Sequence, residues 1–226
     1  MPICSPERSL HGAIHLFVPI IIDYNLPMTA PTRREKTNSG PSGSPAIPPG
    51  CWHALDAVWG SSQRVRLVTG PPSLVGDGTH IRSIHIVGTV TERATPAKLL
   101  LVQNKNTSFT FPGGRLEPRE TLAQALSREV WEEARATVAS DWCPVAATRI
   151  EYLNRVPGRI HRFHPTYLLW VAGAVTSLSD EPHHDPADSV IGRRLATVEE
   201  ANTLLGPLER TVLQAAIESK AGAGES

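Results

Sequence analysis

The chain has 226 residues, 22 acidic and 22 basic side chains, and 40% hydrophobic residues. That length suits one medium domain plus tails, and the charge balance excludes a global field built for nucleic acid or an anionic membrane. Three cysteines, Cys4, Cys51 and Cys143, are odd in number and lack a C-x-x-C pair, so the expected state is reduced thiols in a cytoplasmic protein without a zinc cluster.

Residues 1–50 read as a disordered tail. Ala13 to Ile22 is an apolar run broken only by His15, too short to span a bilayer. Arg8 before it gives it the look of a signal-peptide core, but no small-residue cleavage site follows. The tract from Met28 onward is rich in Pro, Ser, Gly and Thr, as disordered segments are, and Met28 is the expected true start. Residues 51–80 read as an extension that packs on the domain or helps a homodimer form. Within it, Cys51 to Trp59 is mildly helical, with Trp52, Leu55, Val58 and Trp59 on one face. Arg64 to Val68 is a short strand ending at Gly70-Pro71-Pro72. Gly70, Gly76 and Gly78 lack the G-K-[ST] of a phosphate loop and form a plain connection.

The domain proper is expected over residues 81–220, with 221–226 a flexible C-terminus. Ser83 to Val90 and Lys98 to Gln103 read as a hairpin turning near Pro96. Thr107 to Phe111 is a short strand leading to a Gly-Gly turn at Gly113 and Gly114. Leu122, Ala125, Leu126, Val130 and Ala134 then recur at helical spacing, after a start marked by Pro118, Glu120 and Thr121. Val145 to Leu153 and Thr166 to Val175 are strands flanking a loop with Arg155, Arg159, His161, Arg162 and His164. His183, His184 and Asp185 read as a polar loop, since ligand spacing is lacking. Leu195 to Val198 is a short edge strand, and Thr197 to Leu205 and Leu208 to Ser219 are helices. Strands with intervening and terminal helices predict a mixed β-sheet covered by helices, an α/β (α+β) fold.

The long helix carries Glu129, Glu132 and Glu133 at i, i+3 and i+4, within about 100° of one face. Like charges so placed destabilise a helix by a few tenths of a kcal/mol each, and Arg128, off to one side, is not expected to neutralise all three. A hard divalent cation would remove the conflict. Taken alone, the pattern fits a solvated acidic face better.

Upstream residues change that balance. Gly114, Glu120, Arg128, Glu129, Val130, Glu132 and Glu133 fit G-x5-E-x7-R-E-U-x-E-E-x-G-U, where U is aliphatic. This stretch resembles the signature of the Nudix hydrolases. Its last glycine is replaced by Arg135, followed by Ala136 in the final aliphatic position. A left-handed residue is wanted there, which costs an arginine about 1 kcal/mol unless the helix runs on.

The resemblance implies an α/β/α sandwich with the box as a loop–helix–loop. It further implies Mg²⁺ (or Mn²⁺) held by Glu129, Glu132, Glu133 and the main-chain carbonyl of Gly113. Glu129 is then the in-box candidate for general base, with Arg128 orienting it, while Gly114 and Glu120 brace the loop. An additional acid after a later strand is sought among Asp180, Glu181, Asp185 and Asp188, with Glu181 favoured. Substrate contacts are sought at Arg155, Arg159 and Arg162, whose forks suit phosphates, and at Tyr152, Phe109, Tyr167 and Trp170, which as strand aromatics suit a core equally well. The implied activity is hydrolysis of a pyrophosphate bond in a nucleoside diphosphate linked to another moiety, acting on a small-molecule nucleotide. The alternative is a catalytically silent nucleotide-binding module. Action on capped RNA lacks the basic and aromatic surface it would need.

Overall fold

A computed structural model of the chain describes residues 45–59, 62–91, 96–156, 165–182 and 189–223. The expectations for the tail, for Met28, and for residues 157–164 and 183–188 lie outside the described residues.

Three strands set the architecture: β3 (Ile81–Val90), β4 (Lys98–Asn104) and β9 (Thr166–Leu178). Their apolar runs are nearly continuous, as befits strands covered on both faces. Because successive side chains point to opposite faces, the runs divide between two layers. Ile84, Ile86, Leu100, Val102, Leu169 and Val171 pack with Ala125, Leu126, Val130 and Ala134 of helix α1 (Leu122–Ala134). Val87, Leu99, Leu101, Leu168, Trp170 and Ala172 pack in the other layer with Leu208, Val212, Leu213 and Ala216 of helix α3 (Pro207–Ala223). Helix α2 (Val198–Leu204) joins that second layer through Ala201. The fold is therefore the expected mixed sheet between helices.

The main path of the sheet runs β1-β2-β8-β9-β3-β4-β10, where β1 is His53–Trp59, β2 Gln63–Gly70, β8 Cys143–Tyr152 and β10 Val190–Ala196. Three short strands branch from it: β5 (Phe109–Thr110) on β4, β6 (Gly113–Arg115) on β3 and β7 (Ala136–Val138) on β9. β3 and β9 run parallel, whereas the β3–β4 pairing (Thr89↔Leu99) is the antiparallel hairpin expected.

Three elements differ from the sequence reading. Cys51 to Trp59 is not helical: β1 pairs along its length with β2, from His53↔Thr69 to Trp59↔Gln63. Leu55, Ala57 and Trp59, two apart, face the core, while Asp56 and Val58 are exposed. The helical reading counted Trp52, which is 42% exposed, and overlooked Ala57. The Gly-Gly stretch is a strand rather than a turn, pairing His85↔Gly113 and Ile84↔Gly114. The edge strand near Leu195 starts earlier, at Val190, and stops at Ala196, so Val198 opens α2 instead. β2 also pairs with β8, Val65↔Tyr152 through Gly70↔Ala147, which puts residues ahead of 81 inside the sheet.

Candidate active site

Helix α1 begins in a capping box. Thr121 Oγ1 accepts the Gln124 N–H at 3.3 Å and Gln124 Oε1 accepts the Thr121 N–H at 2.9 Å, so two orphan donors of the first turn are satisfied. Its buried stripe of Ala125, Leu126, Val130 and Ala134 fixes the rotation of the helix. The acidic residues are thereby presented towards β6.

Arg128 stands at the middle of these acids. Its Nε and Nη2 donate to Glu120 Oε1 and Oε2 at 2.8 and 2.9 Å, a two-armed pair of the kind that fits a carboxylate best. Nη1 donates to Glu129 Oε1 at 2.9 Å and to Glu132 Oε2 at 3.3 Å, and Nη2 also reaches the Arg115 carbonyl. Of the three acids on the helix face Arg128 thus donates to two, Glu129 and Glu132, its flexible stem bringing the fork to them and to Glu120 from the side. The Glu120 and Glu129 side chains are only 11% and 13% exposed, so removing one partner costs more here than at the surface. The Arg128 hydrogen bonds hold the Glu120 carboxyl below the ordinary range, and Glu120 in turn raises Arg128. Glu120 Oε2 also accepts the Glu117 N–H at 2.7 Å, closing the loop before the helix.

The two glycines of β6 complete the cluster. The Gly113 N–H donates to Glu133 Oε2 at 3.0 Å. Gly113 has φ +141°, and a Cβ there would meet the Ile84 carbonyl and His85; only glycine meets both demands. A Cβ on Gly114 would lie 2.5 Å from both carboxylate oxygens of Glu129. Gly114 therefore makes room for the acid.

Of the two outcomes open at Arg135, the helix stops there in the left-handed conformation, with φ 47° and ψ 46°. The arginine recovers part of the cost through its side chain. Nε donates to the Pro182 carbonyl at 3.0 Å, and the guanidinium lies 5.3 Å from the centre of the Trp131 ring, a cation–π distance. Arg193 of β10 adds a second tie, its Nη1 donating to the carbonyls of Ala134, Arg135 and Ser179 at 2.9, 3.1 and 2.8 Å. Nothing in the sequence marks Arg193.

His85, paired with Gly113 in the sheet, was also unmarked. Its Nδ1 is 3.3 Å from the Phe111 carbonyl, which can only accept, so Nδ1 carries the hydrogen. Nε2 is enclosed and has no partner among the described residues, and the ring lies against Trp170, centroids 5.1 Å apart and planes tilted by 42°. Burial pushes its pKa down to about 4, against a smaller opposing effect of the Phe111 carbonyl.

The other candidates are dispersed. Tyr152, Phe109 and Trp170 pack in the layer of α2 and α3, Tyr152 edge-on to Trp59 at 6.4 Å. Asp180 and Glu181 are exposed on the segment leaving β9. Arg159, Arg162, Asp185 and Asp188 lie outside the described residues.

Four carboxylates (Glu120, Glu129, Glu132, Glu133) gather around the Arg128 guanidinium and the Gly113 N–H. As a set of hard oxygen donors the acids fit a divalent ion. Their present arrangement is built around Arg128, and among the described residues no three acids, histidines or cysteines stand ready to ligate one.

A loop–helix–loop of acids on a sheet flanked by helices defines a class. A sequence model of the NUDIX domain matches residues 80–216, and the chain belongs to that family. It is similar to the human protein "Nucleoside diphosphate-linked moiety X motif 6", 31% identical over 107 residues, which make up 46% of this chain and 32% of the relative. The chain thus spans about a third of that relative's length. Its fold resembles that of the Bacillus subtilis pyrophosphohydrolase BsRppH, with a TM-score of 0.51 at 15% identity, covering 74% of this chain and 98% of that one. Among the described residues no helix is long and apolar enough to cross a membrane.

Proposed function

We propose that this Nudix pyrophosphohydrolase cleaves the pyrophosphate bond of a nucleoside diphosphate linked to another moiety, with Mg²⁺ or Mn²⁺ as its cofactor. The observation that carries the reading is the gathering of four carboxylates around Arg128 and the Gly113 N–H, at the end of β6 and along α1. Glu129, Glu132, Glu133 and the Gly113 carbonyl would hold the ion. When bound, such an ion lowers the pKa of a water and offsets phosphate charge. This chain's own residues supply orientation. Gly114 leaves space for the Glu129 carboxylate, Arg128 fixes it through one oxygen, and the Gly113 N–H fixes Glu133. That placement makes Glu129 the candidate general base, because a base must be held within hydrogen-bond reach of the proton it takes. Tyr152, Arg159, Arg162 and Glu181 are the proposed substrate contacts, and the substrate is a small-molecule nucleotide. We take residues 51–80 as an extension of the catalytic domain, with β2 seated on β8.

The test is a nucleotide panel of ADP-ribose, dinucleoside polyphosphates, nucleotide sugars and oxidised nucleoside triphosphates, with Mg²⁺ or Mn²⁺ and with a chelator. Turnover that the chelator abolishes, and that Glu133→Gln lowers at least tenfold without unfolding the protein, supports the assignment. A Glu133→Gln protein as active as the parent overturns it. One observation favours a second reading, a silent nucleotide-binding module: Arg128 already occupies oxygens of both Glu129 and Glu132. Nucleotide binding without turnover and without a metal requirement would select it.

A further inference from the structure

The residue that departs from the Nudix signature does more than end a helix. The backbone ladder between β7 and β9 has its last pair at Ala136↔Leu178, and one further bond, the Ser179 N–H to the Arg135 carbonyl at 2.8 Å, closes it. Beyond that point the chain runs through Asp180 and Glu181 to Pro182. Along this stretch the Glu181 N–H donates to the local Ser179 Oγ at 3.1 Å, and the Pro182 carbonyl receives the Arg135 Nε–H. The guanidinium is held in place from the other side by the Trp131 ring and by a 3.4 Å contact to the Trp131 carbonyl. Trp131 sits on the same helix, between Glu129 and Glu132. Arg193 completes the junction by bonding to carbonyls on both sides, at Ala134 and Ser179.

We propose that Arg135 is a positioning residue: through Trp131 and Pro182 it fastens the Ser179–Pro182 segment, which carries Glu181, to the last turn of the helix that carries Glu132 and Glu133. A glycine at this position ends the helix equally well but removes the tie between Pro182 and helix α1, leaving past Ser179 the long Arg193–Asp180 pair at 3.9 Å from β10. The arginine accepts a left-handed backbone, unfavourable for any side chain, and gains a side chain that spans two elements. The proposal rests on the hydrolase reading for its effect on turnover, though not for its effect on the segment.

The test compares the parent with Arg135→Gly and Arg135→Lys. Hydrogen exchange measured by mass spectrometry follows residues 176–182, and thermal unfolding and steady-state kinetics on the best substrate of the panel follow in parallel. For Arg135→Gly we expect an unfolding midpoint equal to or above the parent's, because the left-handed strain is gone. We also expect exchange around Ser179–Pro182 to be faster by about tenfold or more, and kcat to fall about fivefold or more at a KM within twofold of the parent's. Arg135→Lys should fall between the two, since one ammonium can reach the Pro182 carbonyl but cannot lie as a plane on the indole. A merely structural role would move the midpoint and leave kcat alone. Unchanged exchange in Arg135→Gly overturns the proposal, and so does faster exchange with unchanged kcat. Should the parent turn over nothing in the panel, the hydrolase reading fails, and the exchange result alone decides whether Arg135 holds the segment.

Discussion

His85 makes a sharp prediction about stability and pH. Its folded-state pKa is about 4, against 6.5 for an ordinary histidine. The sign follows from linkage: between those two values the unfolded chain binds the proton and the folded chain does not, so stability falls as pH falls. Above about pH 7 the penalty vanishes, and below the folded value it levels off. At pH 5 nearly every unfolded chain is protonated at this ring and about nine in ten folded chains are not, which amounts to about 2 kcal/mol. The residue as a whole is not fully buried although Nε2 is enclosed, and relaxation around the ring trims the figure to about 1–2 kcal/mol. The assay is urea unfolding of the parent and of His85→Phe at pH 7.5 and pH 5.0. Phenylalanine keeps the contact with Trp170 and cannot be protonated. It loses the bond to the Phe111 carbonyl at both pH values alike, so that term cancels. His53, also lowered by burial, is common to both proteins and cancels as well. The parent should lose about 1–2 kcal/mol more than the variant on going from pH 7.5 to 5.0. Equal losses, within about 0.5 kcal/mol, would refute the reasoning.

Three further outcomes are expected. Gly114→Ala places a methyl against the Glu129 carboxylate, which can swing away, so activity on the nucleotide panel should fall more than tenfold while unfolding shifts by less than about 1.5 kcal/mol; retained activity would remove Glu129 from the mechanism. Leu126→Ala empties a fully buried site between α1 and the sheet and should cost about 3 kcal/mol by chemical denaturation. Glu120→Gln should cost about 1 kcal/mol at pH 7, and the gap should close as pH drops through the lowered folded pKa of Glu120, because the parent then loses the same charge; a gap constant to pH 3 would show that Arg128 does not depend on that carboxylate.

The box helix was legible because two independent patterns agreed on it. The apolar spacing of Leu122, Ala125, Leu126, Val130 and Ala134 marks one face, and the acids follow a chemical motif. β1 was misread because Leu55 and Trp59 satisfy a period near 3.6 as well as a period of 2, and only pairing with β2 decides. Such ambiguity is inherent in short apolar runs. β6 escaped because glycine carries no strand signal: what makes Gly113 and Gly114 a strand is their register with His85 and Ile84. The reach of Arg128 could not be read from helical spacing, since its fork is set by Glu120 eight residues away and by the Arg115 carbonyl. His85 and Arg193 become notable only through partners distant in sequence, Phe111 for one and Ala134 and Ser179 for the other.

The position of the acids depends on apolar packing more than on charge. Ile84 and Ile86 bury their side chains against Leu126 and Val130, and a strand slipped by one residue would turn them to the opposite layer. That burial pins the register of β3. The register of β3 pins β6, because His85 pairs with Gly113 and Ile84 with Gly114. With β6 pinned, the Gly113 N–H falls 3.0 Å from Glu133, and the missing side chain of Gly114 falls where Glu129 needs space. The same residues, Leu126 and Val130, set the rotation of α1 from the other side. Both halves of the candidate site are thus referenced to one apolar layer. Repulsion among the carboxylates amounts to a few tenths of a kcal/mol per pair, whereas each buried leucine or valine in that layer contributes about 1.5–3 kcal/mol. The layer therefore holds the acids together against their own repulsion.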